Sequence, residues 1–336
     1  MTGMVQREFN VKVHHSSGVM NQYLGTLLFM LVFYQTCNQC ETLYRIDQCP
    51  LITCKCSPKS KLVNCTGSDM KYIPVLPTYA QNVIFTKTNF PNITAEFLYN
   101  LTLIRVIRLH FVDTLTRIID PDAFVKLTNL STLEISGSYE LKPDMISPIL
   151  LLTPRIETVQ LKSNHWETIP GDMFLGLHNS SIQSITLRDN VIESISGTYF
   201  SDLRFLKRLD LSNNQLLDLN LTGLESTSIS YINLANNNFR KVPSFCGPTG
   251  QPTGKYKTLD FQKNYLQKLD GSSFQCLQVL QNLNLDRTSI TVIRTNTFVK
   301  LPKLEKLSLT HIGDHLRSIQ GFAFNSSSLK ETILHG

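Results

Sequence analysis

The sequence lacks the motifs that most often carry catalysis. Its 336 residues contain no G-x-S-x-G or H-E-x-x-H segment, no glycine-rich phosphate loop and no carboxylate pair outside the repeats described below. Strong charge is also missing, because 32 Lys and Arg against 26 Asp and Glu leave a net charge of only +6. We therefore expect a protein that is not an enzyme, holds no cofactor or metal, and does not bind nucleic acid, which favours strongly basic surfaces.

No apolar stretch is long enough to cross a bilayer, which takes about 20 residues. The run YLGTLLFMLVFY, from Tyr23 to Tyr34, is much shorter and suits the core of a secretory signal peptide, with Met20 rather than Met1 as the functional start. We predict that residues 1–40 are a signal peptide region. The protein would then be secreted or stand on the extracellular side of the plasma membrane, with an uncleaved signal anchor as the alternative.

What the sequence does contain is a unit of 23 to 27 residues with the pattern L-x-x-L-x-L-x-x-N-x-L-x-x-L. The clearest copies begin at Ile156, Ile182, Leu206, Ile229 and Tyr256. The register continues at Leu280 and Leu304, and it extends back to Leu130, to Ile104 and to a degenerate unit at Ala80. The single tryptophan, Trp166, replaces the leucine at the eleventh position and is predicted to be core. This pattern resembles the leucine-rich repeat.

One such unit cannot fold alone. Burying its apolar side chains yields roughly 1.5 to 3 kcal/mol each, whereas ordering each residue costs about 1 to 2 kcal/mol. Stacking closes that gap, because both faces of each turn are then buried. We predict an α/β solenoid, a leucine-rich-repeat horseshoe with a parallel β-sheet on its concave face and short helical or irregular segments on its convex side. A doubly wound α/β domain is the alternative, but segments such as IESISGTYFSDL are too short and β-branched for its helices.

Two positions in the unit recur with a structural purpose. The ninth residue is Asn164, Asn190, Asn214, Asn237 and Asn264 in the clearest units, and a buried turn needs such a short amide to satisfy its backbone. Thr88, Ser138 and Thr288 can imitate that amide, but Val112 and Ile312 cannot, so we expect those two turns to be irregular or shifted in register. A late phenylalanine should form a stacked spine on the convex side: Phe97, Phe124, Phe174, Phe200, Phe274, Phe298 and Phe324.

Four closely spaced cysteines precede the repeats, Cys49, Cys54, Cys56 and Cys65. Their spacing does not fit the usual zinc knuckles, and spacing alone leaves the disulfide connectivity open. The segment resembles the cysteine-rich N-terminal cap of extracellular leucine-rich-repeat proteins. That resemblance implies the pairs Cys49–Cys56 and Cys54–Cys65. We therefore expect a cap at 41–79 and about ten repeats at 80–336, the last one truncated.

Further along the chain, Cys246 and Cys276 occupy equivalent late positions in adjacent repeats, which favours a third disulfide that clips the loop FCGPTGQPTGKY. Cys37 and Cys40 receive no role. Disulfides of this kind suit an oxidising, extracytoplasmic setting.

Seven N-x-[ST] sequons are candidate glycosylation sites: Asn64, Asn92, Asn100, Asn129, Asn179, Asn220 and Asn325. None occupies an exposed strand position of a full repeat, so glycans should decorate the edges and outer face of the solenoid. We expect the inner sheet to be left bare for a partner.

Strand alternation sends the side chains between the consensus leucines onto that inner sheet. Its predicted members include Arg105, Arg108, His110, Glu134 and Lys162, and the candidate ligand-binding residues Arg188, Arg208, Asp210, Tyr231, Asn233 and Asp260. Both signs of charge are interleaved, which suits a protein or mixed polar ligand better than a polyphosphate. We expect a hot spot at Tyr231 with Arg188 and Arg208 on neighbouring strands. A merely solvated sheet is the alternative.

The irregular repeat lengths, the scattered sequons and the interrupting loop look most like the ectodomain of a Toll-like receptor. That resemblance implies an extracellular protein or microbial ligand, homodimerisation, and membrane attachment only through a C-terminal part outside this sequence. An adhesion, matrix or guidance protein is the alternative. Because LKETILHG begins another repeat and stops within its strand, we expect a fragment or truncated gene model, with a short isoform or an edge sealed by dimerisation as alternatives.

Overall fold

The computed structural model describes residues 48–50, 53–312, 315–324 and 328–333. The predicted signal peptide region, Cys37, Cys40 and Asn325 lie outside the described residues.

A main sheet of 13 strands runs through the described part of the chain. In spatial order its strands are β1 (Cys54–Ser57), β2 (Leu62–Thr66), β3 (Asn82–Thr86), β5 (Arg108–Val112), β7 (Thr132–Ser136), β8 (Thr158–Gln160), β9 (Ser184–Thr186), β10 (Arg208–Asp210), β11 (Tyr231–Asn233), β12 (Thr258–Asp260), β14 (Asn282–Asn284), β16 (Lys306–Ser308) and β18 (Glu331–Ile333).

From β2 onward, every neighbouring pair in this sheet is parallel and in register. The third to fifth residues of each repeat lie in its strand, which extends to the seventh residue in β3, β5 and β7. Arg208 therefore lies opposite Tyr231, and Leu209 lies opposite Ile232. The fourth and sixth residues, such as Leu209 and Leu211, are buried in one continuous core. The predicted leucine-rich-repeat solenoid with its parallel sheet is confirmed. We call the solvent-facing side of the main sheet the concave face.

One repeat begins two residues later than the sequence analysis placed it. Arg108 pairs with Thr132, the third residue of the next repeat, so the unit begins at Val106 rather than at Ile104. Its ninth residue is therefore Thr114, which is fully buried, and not Val112. The register shift expected in this turn is present, but the assignment of Arg105 to the inner sheet was wrong, because Arg105 precedes the strand. At the other doubtful turn there is no shift, and Ile312 is itself buried at the ninth position.

The remaining elements are short and lie on the other sides of the solenoid. They comprise β4 (Asn92–Ile93) paired with β6 (Ile118–Ile119), the sheet β13 (Lys268–Leu269), β15 (Val292–Ile293) and β17 (Ser318–Ile319), the helices α1 (Tyr99–Thr102) and α2 (Ile146–Leu152), and 3-10 turns at Pro143–Met145, Gly197–Phe200 and Leu224–Ser226. None of the helices in the described residues has the length and apolar character needed to span a membrane.

The phenylalanine spine stacks in two separate runs. Phe174 and Phe200 stack with ring centres 5.3 Å apart, and Phe298 stacks between Phe274 and Phe324 at 5.7 and 5.4 Å. The repeats that begin at Leu206 and Ile229 have no spine phenylalanine and separate the two runs. Helix α2 occupies the corresponding space in the turn before Phe174. Trp166 is buried as predicted, and its Nε1 donates to the backbone oxygen of Leu141 at 2.7 Å.

The chain turns away from the sheet at the eighth residue of each repeat, which has a left-handed backbone. These residues have φ values from 54° to 66°: Lys87, Asp113, Gly137, Ser163, Asp189, Asn213, Asn236, Lys263, Arg287 and His311. A left-handed conformation costs roughly 1 to 2 kcal/mol at a residue with a side chain. Only Gly137 is a glycine, so the other turns need a compensating interaction.

In five of these turns a buried asparagine follows the left-handed residue and supplies that interaction, at Asn164, Asn190, Asn214, Asn237 and Asn264. Nδ2 of Asn214 donates to the backbone oxygens of Leu187 at 3.1 Å and Leu211 at 3.0 Å, and its Oδ1 accepts the backbone N–H of Ile192 at 3.1 Å. The same three kinds of bond recur at Asn237 and Asn264. Each amide thus satisfies backbone hydrogen-bonding groups in its own repeat and in the repeat before it, and these bonds hold the two repeats at a fixed spacing.

The N-terminal end of the sheet is covered by a disulfide-bonded hairpin. Strand β1 runs antiparallel to β2, and β2 then pairs in parallel with β3. Two disulfides, Cys49–Cys56 and Cys54–Cys65, hold this hairpin, and they fit a leucine-rich-repeat cap. The cap covers the apolar layer and the strand edge that the first repeat would otherwise expose.

Candidate ligand-binding face

The concave face places most of the predicted ligand-binding residues side by side. Arg208 and Asp210 lie on β10, Tyr231 and Asn233 on β11, and Asp260 on β12, three neighbouring strands of the main sheet. Alternation along each strand brings the third and fifth residues to the solvent side while the fourth is buried. These five residues therefore form one continuous surface.

Arg208 and Tyr231 are in direct contact on this surface. The guanidinium carbon of Arg208 lies 4.0 Å from the centre of the Tyr231 ring, a cation–π contact across paired residues of β10 and β11. Burial raises the pKa of Tyr231, and the carboxylates of Asp210 and Asp260 raise it further against the opposing charge of Arg208. The phenol therefore stays neutral and available as a hydrogen-bond donor.

Arg188 does not belong to this contact. It follows β9, which is separated from β11 by β10, and its Nε lies 3.1 Å from Oδ2 of Asp189 in its own turn. The sequence predicted Arg188 and Arg208 on strands that neighbour Tyr231, but Arg188 follows β9, which lies two strands away from β11. The structure brings only Arg208 to the tyrosine.

The polar residues at the fifth position also have a structural role that the sequence analysis missed. Oδ1 of Asp210 accepts the backbone N–H of Ser212 at 3.0 Å, and Oδ1 of Asp260 accepts that of Gln262 at 2.9 Å. Asn233 bonds to Ala235 in the same way at 3.0 Å. The recurring Asp or Asn at this position was the available signal. Asp210, Asn233 and Asp260 thus shape the turns that present Arg208 and Tyr231.

A hollow of about 260 Å³ opens on the C-terminal side of Tyr231. It is lined by Tyr231, Thr258, Leu259, Asp260, Asn282, Leu283, Asn284, Lys306, Leu307, Ser308, Glu331 and Ile333. Burial raises the pKa of Asp260, and the charges of Asp286 and Asp210 contribute to the rise. The hollow therefore combines an aromatic wall with a carboxylate whose charge is poorly solvated, which suits a polar or cationic side chain of a partner.

A second polar cluster lies towards the N-terminal end of the concave face. Oε2 of Glu134 is 2.6 Å from Nδ1 of His110, and its Oε1 is 2.8 Å from Nζ of Lys162. Oε1 also accepts a hydrogen bond from Oγ of Ser136 at 3.0 Å. Burial favours the neutral carboxyl, but the hydrogen bonds and charges of His110 and Lys162 prevail and lower the pKa of Glu134 to about 2. Because both of its carboxylate oxygens have hydrogen-bond partners inside the cluster, we assign Glu134 a structural role rather than a role in ligand contact.

The sequons are distributed less simply than predicted. Asn92, Asn129, Asn179 and Asn220 are exposed away from the concave face, and Asn100 is half-buried with its Nδ2 donating to the oxygen of Ile73 at 2.7 Å. Asn64, however, stands on β2 in the row that continues through Ile84 and His110. The inner sheet is therefore not bare of sequons, because the cap strand extends it by one turn.

The third predicted disulfide pair is also joined in the structure, as Cys246–Cys276. The clipped loop closes on itself, since the N–H of Gly247 donates to the oxygen of Gln251 at 2.7 Å and that of Thr253 to Phe245 at 3.0 Å. Within the described residues, no three His, Cys, Asp or Glu side chains converge in a way that could hold a metal ion.

Comparison with known proteins agrees with the repeats. The family model described as leucine rich repeat matches residues 154–216, 180–239 and 256–312. Toll-like receptor 3 of Bos taurus is 32% identical over 169 residues, which is 45% of this chain and 18% of the receptor. Tsukushi of Gallus gallus is 34% identical over 136 residues, 40% of this chain and 36% of Tsukushi.

Among solved structures, the complex of Toll with Spatzle from Drosophila aligns with 81% of this chain and 49% of the matched chain, at 17% identity and a TM-score of 0.44. The matched part spans less than half the length of both of these relatives, Toll-like receptor 3 and Tsukushi. It carries leucine-rich repeats behind a disulfide-bonded cap, and its relatives include both a Toll-like receptor and Tsukushi.

Proposed function

We propose that this leucine-rich-repeat chain is the ligand-binding part of a Toll-like receptor, that it has no enzymatic activity, and that it binds an extracellular protein or a microbial ligand on its concave face. The disulfides fit an extracellular protein. The ligand would contact the surface formed by Arg208, Tyr231 and the adjacent hollow.

The pairing of Arg208 with Tyr231 is the observation that carries this proposal. Arginine and tyrosine are enriched among the residues that dominate binding energy at protein interfaces. Their mutual contact at 4.0 Å restricts both side chains before a ligand arrives, so less side-chain entropy is lost on binding. The hollow beside the ring offers a place for a partner side chain to be desolvated.

The alternative is a secreted or cell-surface adhesion, matrix or guidance protein. The match to Tsukushi, at 34% identity, supports that alternative as well as the match to Toll-like receptor 3 supports a receptor. Sequencing the transcript beyond the codon for Gly336 separates the two. A membrane span followed by a signalling domain selects the receptor, and a terminal cysteine cap followed by a stop codon selects the matrix protein.

A binding screen tests the concave face itself. The secreted chain, fused to an immunoglobulin Fc, is presented to a panel of purified extracellular proteins and microbial glycolipids, together with its Tyr231→Ala and Tyr99→Ala variants. Tyr99 is a matched control, because it is 57% exposed on α1 outside the main sheet. Ligands that lose affinity for Tyr231→Ala but not for Tyr99→Ala support the proposal. If every ligand is lost with Tyr99→Ala instead, the concave face is not the binding surface.

Homodimerisation is part of the same proposal and is measured separately. Sedimentation of the purified chain with and without a confirmed ligand should show dimers that form only in its presence. A chain that stays monomeric with bound ligand would argue against a receptor that signals by pairing.

A further inference from the structure

An apolar hollow of about 180 Å³ lies between the end of α2 and the segment that leads into β7. It is lined by Phe124, Val125, Leu127, Thr128, Leu130, Leu152, Thr153, Pro154 and Arg155. Val125 is 44% exposed and Leu152 is 47% exposed, so the walls are aliphatic and open to solvent. The hollow exists because α2 replaces the usual convex segment of this repeat.

The apolar surface continues beyond the hollow. Leu151, next to Leu152 in α2, is 51% exposed and its Cδ2 lies beside the backbone of Gly176 in the following turn. Leu175 is exposed there too, at 42%. Contiguous exposed aliphatic side chains of this kind promote association unless something covers them.

The sequon Asn129-Leu130-Ser131 stands at the rim of the hollow. The residues on both sides of Asn129, Thr128 and Leu130, line it, and Asn129 itself is exposed. Nδ2 of Asn129, the atom that carries the sugar in N-linked glycosylation, lies 3.5 Å from Oγ1 of Thr128. Nη1 of Arg155 donates to the backbone oxygen of Thr128 at 3.2 Å and holds this rim in place.

We propose that Asn129 is N-glycosylated and that the first sugar of its glycan packs into this hollow, covering Val125 and Leu152. In the transfer, a bond forms between Nδ2 and C1 of the first N-acetylglucosamine, the C1–O bond to the diphosphate of a lipid-linked oligosaccharide breaks, and the amide proton is released. The proposal rests on the extracellular location in the proposed function and is independent of the ligand.

The fit is one of size and polarity. An apolar cavity of roughly 150 Å³ accepts a six-membered ring, and the C–H faces of a pyranose are apolar while its hydroxyls lie at the ring edge. A sugar held at Asn129 therefore turns an apolar face to Leu152 and its hydroxyls to solvent. A glycan in this place also keeps a second protein from docking on α2.

The first measurement uses the folded, glycosylated protein. The full chain is secreted from mammalian cells, glycan occupancy is read by mass spectrometry, and release by a peptide-N-glycosidase is followed at Asn129 and Asn220. Asn220 is the matched control, because it is exposed beside a hollow lined by polar residues including Asp218 and Lys241. Release at Asn129 should be several-fold slower in the native protein and equal to that at Asn220 after denaturation.

A second measurement uses variants. Hydrogen exchange of a peptide covering α2 should rise several-fold in Asn129→Gln and in Ser131→Ala, which removes the sequon and keeps the asparagine, but not in Asn220→Gln. In a Leu152→Ser background, loss of the Asn129 sequon should have little further effect, because the apolar wall is already gone.

Three results would overturn the proposal. Asn129 could be unmodified on a chain that is glycosylated at other sequons, or its glycan could be released from the native protein as fast as the glycan at Asn220. The third result is hydrogen exchange of α2 that does not change when the Asn129 glycan is lost. If sedimentation shows a dimer and hydrogen exchange shows that α2 is protected only in that dimer, the patch is covered by a second copy of the chain instead. If no sequon is modified at all, the extracellular location fails and with it the proposed function, so the two failures are distinguishable.

Discussion

Oδ1 of Asn190 accepts the backbone N–H of Asn164 at 2.9 Å, so the asparagine of one repeat is bonded to the asparagine of the repeat before it. Nδ2 of Asn190 donates in turn to the oxygens of Leu161 and Leu187, both at 2.9 Å. One buried amide thus forms hydrogen bonds with backbone groups of two repeats that are buried away from solvent.

Replacing this amide should be costly. We expect Asn190→Ala to lower the free energy of unfolding by about 2 to 4 kcal/mol, because three carbonyls and two N–H groups lose a hydrogen-bond partner. Urea denaturation followed by circular dichroism measures the loss.

Ser138→Ala is the matched control for Asn190→Ala. Ser138 occupies the same ninth position and is fully buried, but its Oγ has no hydrogen-bond partner among the described residues. Removing that hydroxyl should leave the stability unchanged or raise it slightly. Equal losses in the two variants would mean that the volume at this position matters and the amide does not.

The buried carboxylate of Glu134 predicts a specific pH dependence. Its pKa in the folded protein, about 2, lies below the ordinary value of 4.5, so its stabilisation is fully present above about pH 5 and is lost as the pH falls towards 2. The difference between a pKa of 4.5 and a pKa of about 2 corresponds to roughly 3 kcal/mol at neutral pH.

Glu134→Gln isolates this contribution. The difference in unfolding free energy between wild type and Glu134→Gln should be large at neutral pH and should shrink between about pH 5 and pH 2. Other carboxyl groups titrate in both proteins and cancel in the difference. A gap that stays constant down to the acid limit would show that His110 and Lys162 do not hold the folded carboxylate charged.

The disulfides should stabilise the chain according to the loops they close. Cys246 and Cys276 are 30 residues apart, whereas Cys49 and Cys56 are 7 apart. Removing the longer bridge with Cys246→Ser/Cys276→Ser should cost about 3 to 4 kcal/mol, roughly 1 kcal/mol more than removing the shorter one with Cys49→Ser/Cys56→Ser. Thermal unfolding of both double variants, each without a free thiol from the removed pair, gives the comparison. If removal of the shorter bridge costs more stability than removal of the longer one, that bridge acts mainly on the folded cap rather than on the unfolded chain.

Substitutions at Tyr231 should separate its ring from its hydroxyl. With a ligand from the binding screen, Tyr231→Ala should weaken binding roughly tenfold or more, about 1.4 kcal/mol, because the ring that Arg208 contacts is removed. Tyr231→Phe keeps the ring and should retain most of the affinity unless the ligand bonds to the hydroxyl. Surface plasmon resonance measures both, and unchanged melting temperatures would exclude misfolding as the cause.

The sequence predicted the repeat, its buried leucines and the identity of the solvent-facing residues from β7 onward. It failed at Arg105, because Ile104 and Ile107 fit the apolar pattern as well as Val106 and Leu109 do, and only strand pairing distinguishes the two registers. It also predicted Arg188 close to Tyr231, but β10 lies between their strands. Both residues follow the alternation of their own repeat, but distance across the sheet depends on strand order and on the position within each turn.

By itself, the sequence determined that this chain forms a stack of turns with a parallel sheet, because a two-dozen-residue apolar period can be buried only by its own neighbours. Tertiary structure alone decided which polar side chains are free to bind. Asp210, Asn233 and Asp260 bond to the backbone of their own turns, Glu134 is held by side chains of two other repeats, and Arg208 reaches Tyr231. The contacts of Glu134 and of Arg208 depend on angstrom-scale distances between residues in different repeats, and no periodicity encodes them.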